Sequence, residues 1–167
     1  MARTRASKAL MATPSGPPSI REIARHQAEA ILARNHVGRI AFTFHDRVDV
    51  EPLNYIYADG WLYGRTSHGT KVTILGHHQW IAFEVDEVKG LFEWRSVVVK
   101  GTFEIIPADL GGNHAPAYTH AVELLRTLAP DAWKEHDRAA FRNVLFRIHV
   151  DEITGRESTV KHESVGS

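Results

Sequence analysis

The sequence of 167 residues contains no cysteine. Disulfides, thiolate nucleophiles, cysteine-ligated zinc and iron–sulfur clusters all require that residue, so these chemistries are excluded. The chain also lacks an excess of either charge, because Lys plus Arg and Asp plus Glu both number 20. Nucleic acids and anionic membranes attract basic proteins, so we expect neither of them to be the main partner.

Long hydrophobic runs are also absent, since no stretch approaches the ~20 apolar residues that a membrane-spanning helix needs. The N-terminus carries basic residues, but the only apolar run that follows them is 9–12. A signal peptide needs roughly 7 or more apolar residues there. We therefore expect a cytoplasmic protein. Residues 1–18 end in a Pro/Gly/Ser run and are interpreted as a disordered tail.

The remaining residues suffice for one domain, which we place at 19–157, followed by a flexible tail at 158–167. Ser19 and Glu22 have the spacing of a capping box, which predicts that a helix begins at Ser19. Alternating apolar residues predict six strands, at 40–44, 48–57, 61–66, 81–85, 97–105 and 146–150. Helices are expected at 70–75, 116–128 and 130–140. Because the strands are joined mostly by short turns, the pattern predicts a mainly β fold: a six-stranded antiparallel β-barrel with peripheral helices.

The segment 64–71, Gly-Arg-Thr-Ser-His-Gly-Thr-Lys, carries the clearest chemical signal. It leaves a predicted strand and enters a predicted helix, and it offers a guanidinium, an ammonium, three hydroxyls and free backbone N–H groups. These are the components of a phosphate site, with a solvated turn as the alternative. A P-loop is excluded, because Lys71 comes one residue late and Val72 stands where Ser or Thr would hold magnesium.

Other catalytic signals are weak. Eleven histidines invite a metal hypothesis, but none forms an H-E-x-x-H pair, and we interpret them as ordinary surface or turn residues. We therefore expect no metal site. His68 is an exception, since it lies inside the segment 64–71, which we call the phosphate turn. A protonated imidazole there would add positive charge. No side chain is identified as a catalytic acid, base or nucleophile, so the catalytic residues remain unassigned.

An ordered set of segments resembles the pyridoxamine-5′-phosphate-oxidase-related, FMN-binding split-barrel family, with its nitroimidazole-resistance-protein-like branch as the nearest type. The resemblance covers about residues 20–157. The segments that carry it are 37–41, 52–55, 62–71, 81–86, 94–101 and 148–156. The resemblance implies a split barrel and a homodimer with an FMN in each of two sites at the dimer interface. The long apolar fifth strand also points to a buried dimer face.

The resemblance also implies site residues in three groups. The phosphate would be held by Arg65, Thr66, Ser67 and Lys71. The isoalloxazine would lie beside Pro52, Leu53 and Asn54, mostly along their backbone. The partner chain would contribute Trp94, Arg95, Ser96 and Val97, although Trp94 alternatively belongs to the core or the interface without touching flavin.

The implied function is an FMN-dependent oxidoreductase acting on a small molecule, with hydride transfer carried by the flavin. The sequence departs from true pyridoxamine phosphate oxidases, because Arg142, Arg147 and Arg156 do not have the spacing of that family's substrate-phosphate residues. Two alternatives stay open. One is a member of the same fold that binds the deazaflavin F420 or haem, and the other is a non-catalytic flavin-binding or stress-associated protein.

Overall fold

The computed structural model describes residues 16–108 and 115–160. Most of both predicted tails, 1–15 and 161–167, lies outside the described residues. The described part of the chain contains eight strands and three helices, in the order β1 Ser19–Glu22, α1 Arg25–Arg34, β2 Val37–Phe44, β3 Arg47–Asn54, β4 Ile56–Ala58, β5 Trp61–Thr66, α2 Thr70–His77, β6 Trp80–Gly90, β7 Glu93–Ile106, α3 Ala115–Leu128 and β8 Val144–Thr159.

All strands belong to one antiparallel sheet, in the order β3-β2-β6-β7-β8-β5-β4, with β1 paired to the far end of β8. The two end strands, β3 and β4, follow each other in the chain but are not neighbours in this order, so the barrel is split there. The predicted split barrel with peripheral helices is confirmed. The predicted number of six strands is wrong, because the described residues form eight.

Two apolar clusters stabilise the fold. They are separate because the side chains of a strand alternate between its two faces. One fills the barrel and includes Ile40, Phe83 and Val97. The other packs the outer face of β5 and β8 against α3, through Tyr63 and Leu145. This alternation decides where each site residue of β5 points, since neighbours such as Leu62 and Tyr63 belong to different clusters.

The predicted helix start at Ser19 is wrong, because residues 19–22 form β1. This strand pairs with the end of β8, where Ile20 lies opposite Ser158. The helix begins instead at Arg25, and the backbone N–H of Ala24 donates to the Gln27 side chain at 2.9 Å. Pairing with a distant strand therefore overrides the local capping signal at Ser19.

The predicted single strand over 48–57 is broken at Tyr55. The chain changes partner there, since β3 pairs with β2 and β4 pairs with β5. Tyr55 is fully buried, and its backbone N–H donates to the His36 carbonyl at 3.0 Å. The break creates the opening of the barrel, next to Asn54.

The predicted helix over 130–140 is also wrong, because this segment forms consecutive turns. The Asp137 carboxylate accepts hydrogen bonds from the backbone N–H groups of Trp133, at 2.8 Å, and Ala139, at 2.9 Å. Trp133 has a left-handed φ of 58°, which a helix cannot contain. A local side-chain bond to the backbone thus replaces the helical pattern.

At the C-terminal end of the domain, β8 runs to Thr159, two residues beyond the boundary placed at 157. Ser158 is buried, and its hydroxyl donates to the Phe92 carbonyl at 2.8 Å.

Candidate functional site

The phosphate turn leaves β5 at Thr66 and enters α2 at Thr70, as the sequence predicts. Thr66 is buried, whereas Ser67, His68 and Gly69 are exposed. The first hydrogen bond of α2 runs from the Thr73 N–H to the Gly69 carbonyl at 3.2 Å. The N–H groups ahead of it have no helical partner, which is the property that favours an anion at a helix start.

Lys71 reaches from this turn to β3. Its ammonium donates to the Glu51 carboxylate at 2.7 Å, next to Pro52. The Lys71 side chain is largely buried, while Glu51 remains well exposed. Because the carboxylate is solvated, its replacement by another anion costs little.

Arg65 lies one residue before the turn, and its guanidinium is already bound by a carboxylate. Both of its terminal nitrogens donate to Asp137, with a distance of 2.9 Å between Nη2 and Oδ1. The guanidinium also lies 4.9 Å from the centre of the Trp133 ring. The hydrogen bond from Arg65, supported by the backbone N–H of Trp133, holds the pKa of Asp137 well below its usual range. The pair is nearly inaccessible to water.

Asn54 and Arg65, assigned by the resemblance to different parts of one cofactor, line the same cavity of about 390 Å³. Its walls come from the segment between α1 and β2, the end of β3, β5, the end of α3 and the turns that follow. The lining residues are His36, Asn54, Tyr55, Arg65, Leu125, Leu128, Ala129, Ala139 and Arg142. A volume of this size suits a small molecule or part of a larger one. The other predicted members of the two strands lie nearby but differ in exposure: Pro52 is exposed, whereas the Leu53 side chain packs in the barrel core.

Two residues of this cavity were missed by the sequence reasoning. Arg142 donates from Nη1 to the Asn54 amide oxygen at 3.0 Å, and it has no carboxylate partner among the described residues. The Nδ1 atom of His36 is buried and lacks a hydrogen-bond partner in the described part of the chain. A guanidinium without a carboxylate partner favours an anion, so the Arg142 side of the cavity fits a ligand with anionic oxygen atoms. No sequence signal marks His36, and Arg142 follows no recognisable spacing.

The four predicted partner-chain residues do not reach this cavity within one chain. Trp94 and Ser96 line a separate cavity of about 550 Å³, which shares no lining residue with the first. Arg95 points the other way and donates to Glu157 at 2.9 Å. Val97 is fully buried in the barrel core, so it can contribute only its backbone.

A larger cavity of about 680 Å³ lies between the β2–β3 turn and the end of α2, where His45, His77 and His78 are among its lining residues. It contains none of the predicted site residues. Within the described ranges, no group of three or more His, Asp or Glu side chains is placed to hold a metal ion. None of the described helices has the length and apolarity that crossing a membrane requires.

Comparison with known proteins bears on this site. The pyridoxamine 5′-phosphate oxidase family matches residues 24–157. The chain belongs to this family. The crystal structure of a FAD-binding protein from Mesorhizobium loti is 30% identical, with a TM-score of 0.68, over 84% of this chain and 99% of that chain. An uncharacterised protein of Rhizobium meliloti is 25% identical over 145 residues, which are 82% of this chain and 94% of that protein.

The fold alone is shared with a FAD- and haem-binding protein from Mycobacterium smegmatis, which is 17% identical with a TM-score of 0.57. That similarity covers 85% of this chain and 75% of the other. In this member of the pyridoxamine 5′-phosphate oxidase family, every lining residue of the Asn54–Arg65 cavity lies inside the matched range. Strand β1 precedes that range.

Proposed function

We propose that this protein binds a flavin, with FMN as the cofactor, and acts as an oxidoreductase on a small molecule. The observation that carries the proposal is the convergence of Asn54 and Arg65 on one cavity, together with Arg142 and His36. The FAD-binding relative from Mesorhizobium loti supports a flavin as the ligand.

The residues present fit the phosphate of such a cofactor at the turn between β5 and α2. Ser67 is exposed there, the N–H groups before Thr73 have no helical partner, and Lys71 supplies a positive charge. The resemblance also assigns Arg65 and Thr66 to the phosphate. The side chain of Thr66 is buried. Pro52 to Asn54 would run beside the ring system, and since the Leu53 side chain packs in the core, that contact would use its backbone.

A bound flavin would supply the hydride chemistry, so the chain itself has to bind, orient and exclude water. Leu125 and Leu128 give the cavity an apolar side that limits water. Tyr55 lines the same cavity, but its hydroxyl donates to the Leu32 carbonyl at 2.9 Å, and burial raises its pKa. The Tyr55 hydroxyl is therefore committed to the fold and is not assigned a role as proton donor to a substrate.

We also propose a cytoplasmic homodimer. Val88, Leu91 and Phe92 form an exposed apolar patch at the β6–β7 turn, beside Trp94. Exposed apolar groups of this kind mark contact surfaces. A second copy that covers this patch would bring Trp94 and the residues after it towards the flavin site of the first copy. The resemblance implies this arrangement for residues 94–97.

The deciding experiment is the absorption spectrum of the purified protein, because oxidised flavin, deazaflavin and haem have distinct spectra. Lys71→Ala should lower the affinity for FMN roughly 10- to 100-fold, through loss of a charge-assisted contact, and should change riboflavin binding much less. Arg47→Ala, at the exposed start of β3, is the matched control and should bind FMN normally.

A protein that takes up no flavin, or a Lys71→Ala variant with unchanged FMN affinity, would contradict the proposed site. Turnover with a reduced nicotinamide and an artificial acceptor separates an oxidoreductase from a non-catalytic flavin-binding protein. A haem or deazaflavin spectrum would show instead that the protein binds one of the two alternative cofactors.

A further inference from the structure

We infer that Arg142 contacts the anionic group of the ligand in the Asn54–Arg65 cavity, and that Arg65 is a positioning residue that acts on Arg142 through Asp137. The anionic group is a phosphate or a carboxylate, carried either by the cofactor or by the substrate. The inference refines the role of Arg65 and rests on the proposed function for the identity of the cofactor.

The charge of Arg65 is already neutralised by a carboxylate. Each of its two terminal nitrogens donates one hydrogen bond to Asp137, which also accepts the N–H groups of Trp133 and Ala139. The Asp137 side chain is buried, and that of Arg65 is largely buried. Freeing the guanidinium would leave a buried carboxylate without its counter-ion, which is strongly destabilising.

A continuous hydrogen-bonded path leads from Arg65 to Arg142. Asp137 accepts the N–H of Ala139 at 2.9 Å, and the carbonyl of Ala139 accepts the N–H of Arg142 at 2.9 Å. The buried ion pair therefore fixes the turns from which the Arg142 side chain projects. The ion pair sets the position of these turns together with the hydrogen bond that Arg126 donates to the Ala132 carbonyl, at 3.1 Å.

Arg142, in contrast, is ready to bind an anion. Within the described residues it has only the neutral amide oxygen of Asn54, at 3.0 Å, and a loose contact with the Phe141 ring, 5.6 Å away. A phosphate or carboxylate is a stronger partner for a guanidinium than an amide oxygen. His36 lines the same cavity.

The test compares Arg142→Gln, Arg65→Gln and Asp137→Asn, with Arg47→Gln as the surface control. Two quantities are measured for each variant: the melting temperature, and the ratio of FMN affinity to riboflavin affinity. The rise in melting temperature caused by inorganic phosphate, at constant ionic strength, is measured as well.

We expect Arg142→Gln to keep the wild-type melting temperature. It should lose either the preference for FMN, by roughly 10- to 100-fold, or the stabilisation of the flavin-loaded protein by inorganic phosphate. The first outcome assigns the anion to the cofactor, and the second assigns it to the substrate. Arg65→Gln and Asp137→Asn should both lower the melting temperature and reduce the same ligand effect. In a double variant with Arg142→Gln, neither Arg65→Gln nor Asp137→Asn should weaken the ligand effect further, since a positioning residue acts only through the residue it places.

The inference is overturned if Arg142→Gln alters neither the FMN preference nor the phosphate effect. It is also overturned if Asp137→Asn keeps or raises FMN affinity while Arg65→Gln lowers it, because Arg65 would then touch the phosphate directly. If the wild-type protein binds no flavin, the proposed function fails, and the phosphate measurement on the flavin-free chain still decides the role of Arg142.

Discussion

The hydroxyl of Tyr55 donates a hydrogen bond of 2.9 Å to the backbone carbonyl of Leu32, in the last part of α1. Tyr55 is the residue at which the chain leaves β3 for β4, and its own N–H donates to the carbonyl of His36, immediately before β2. The two bonds tie the opening of the barrel to the helix and the strand that precede it. Tyr55 also lines the Asn54–Arg65 cavity, so the site depends on the same anchor.

Replacement of Tyr55 by Phe should lower the free energy of unfolding by about 1–2 kcal/mol, because the Leu32 carbonyl is left buried without its partner. Urea denaturation followed by fluorescence measures this change. Tyr118→Phe is the control, since the Tyr118 hydroxyl has no hydrogen bond within the described residues, and it should differ little from wild type. Equal stability of the two variants would show that the bond contributes nothing.

Gly64, beside the phosphate turn, should not tolerate a side chain. A Cβ there would lie 2.2 Å from Cζ of Phe146 and 2.8 Å from the Asn54 carbonyl oxygen. Gly64→Ala should therefore destabilise the protein by roughly 1–3 kcal/mol through overpacking, and it should weaken flavin binding by displacing Asn54.

Gly76→Ala makes the matched comparison, because a Cβ at this position in α2 meets no atom within 4 Å. It should stabilise the helix by about 0.5–1 kcal/mol. Thermal melts of both variants check the pair. A stable Gly64→Ala protein would mean that β3 and β5 do not approach as closely as the structure shows.

Glu157 should make stability depend on pH. Its buried carboxylate accepts hydrogen bonds from Arg95 and Arg21. The Arg95 bond, reinforced by Arg21, lowers the pKa of Glu157 against the opposing effect of burial. Because the folded pKa lies below the unfolded value of about 4.3, the stabilisation is present above that value and is lost as the pH falls through the folded pKa.

The unfolding free energy of the wild type should therefore fall as the pH is lowered from 5 to 3, and that of Glu157→Gln should fall less steeply. Urea titrations at several pH values measure both slopes. Glu152→Gln removes an exposed pair with Lys100, which is worth little, and it should follow the wild type. Identical slopes for wild type and Glu157→Gln would contradict the assignment.

The apolar patch at the β6–β7 turn should be the centre of the proposed dimer interface. Leu91 is 81% exposed and is the most exposed large apolar residue among those described. Leu91→Glu places a charge in the contact and should convert the dimer to a monomer in light scattering, with loss of bound flavin if the partner completes the site. Val50→Glu, which is 60% exposed on the edge strand β3, should remain dimeric. A wild-type monomer that retains flavin would exclude the dimer proposal.

Local patterns were sufficient for much of the fold. Strand β2 alternates buried apolar residues with more exposed ones because one of its faces lies in the core, so its position follows from the sequence alone. The turn between Thr66 and Thr70 was also predictable, since a strand pattern gives way there to a helical one. The locations of Arg65, Thr66, Ser67 and Lys71 around that turn follow directly from chain connectivity.

Other elements depend on partners far away in the sequence. Residues 19–22 carry a helix-capping signal but form a strand, because β8 offers its edge to them. Residues 130–140 have a helical pattern but form turns around Asp137, which bonds the local backbone and is also held by Arg65, 72 residues earlier. No window of sequence contains both members of such pairs, so local propensity favours the wrong element.

The sequence by itself therefore determined the fold class, the family resemblance and the position of the turn between β5 and α2, because each depends on residues that are close in the chain or on an ordered series of segments. The tertiary structure decided which of these residues share a cavity. It placed Asn54 with Arg65 and Arg142, left the His36 Nδ1 without a partner among the described residues, and paired the Arg65 guanidinium with Asp137. Those outcomes arise from packing between distant segments, where burial and charge pairing outweigh local preference.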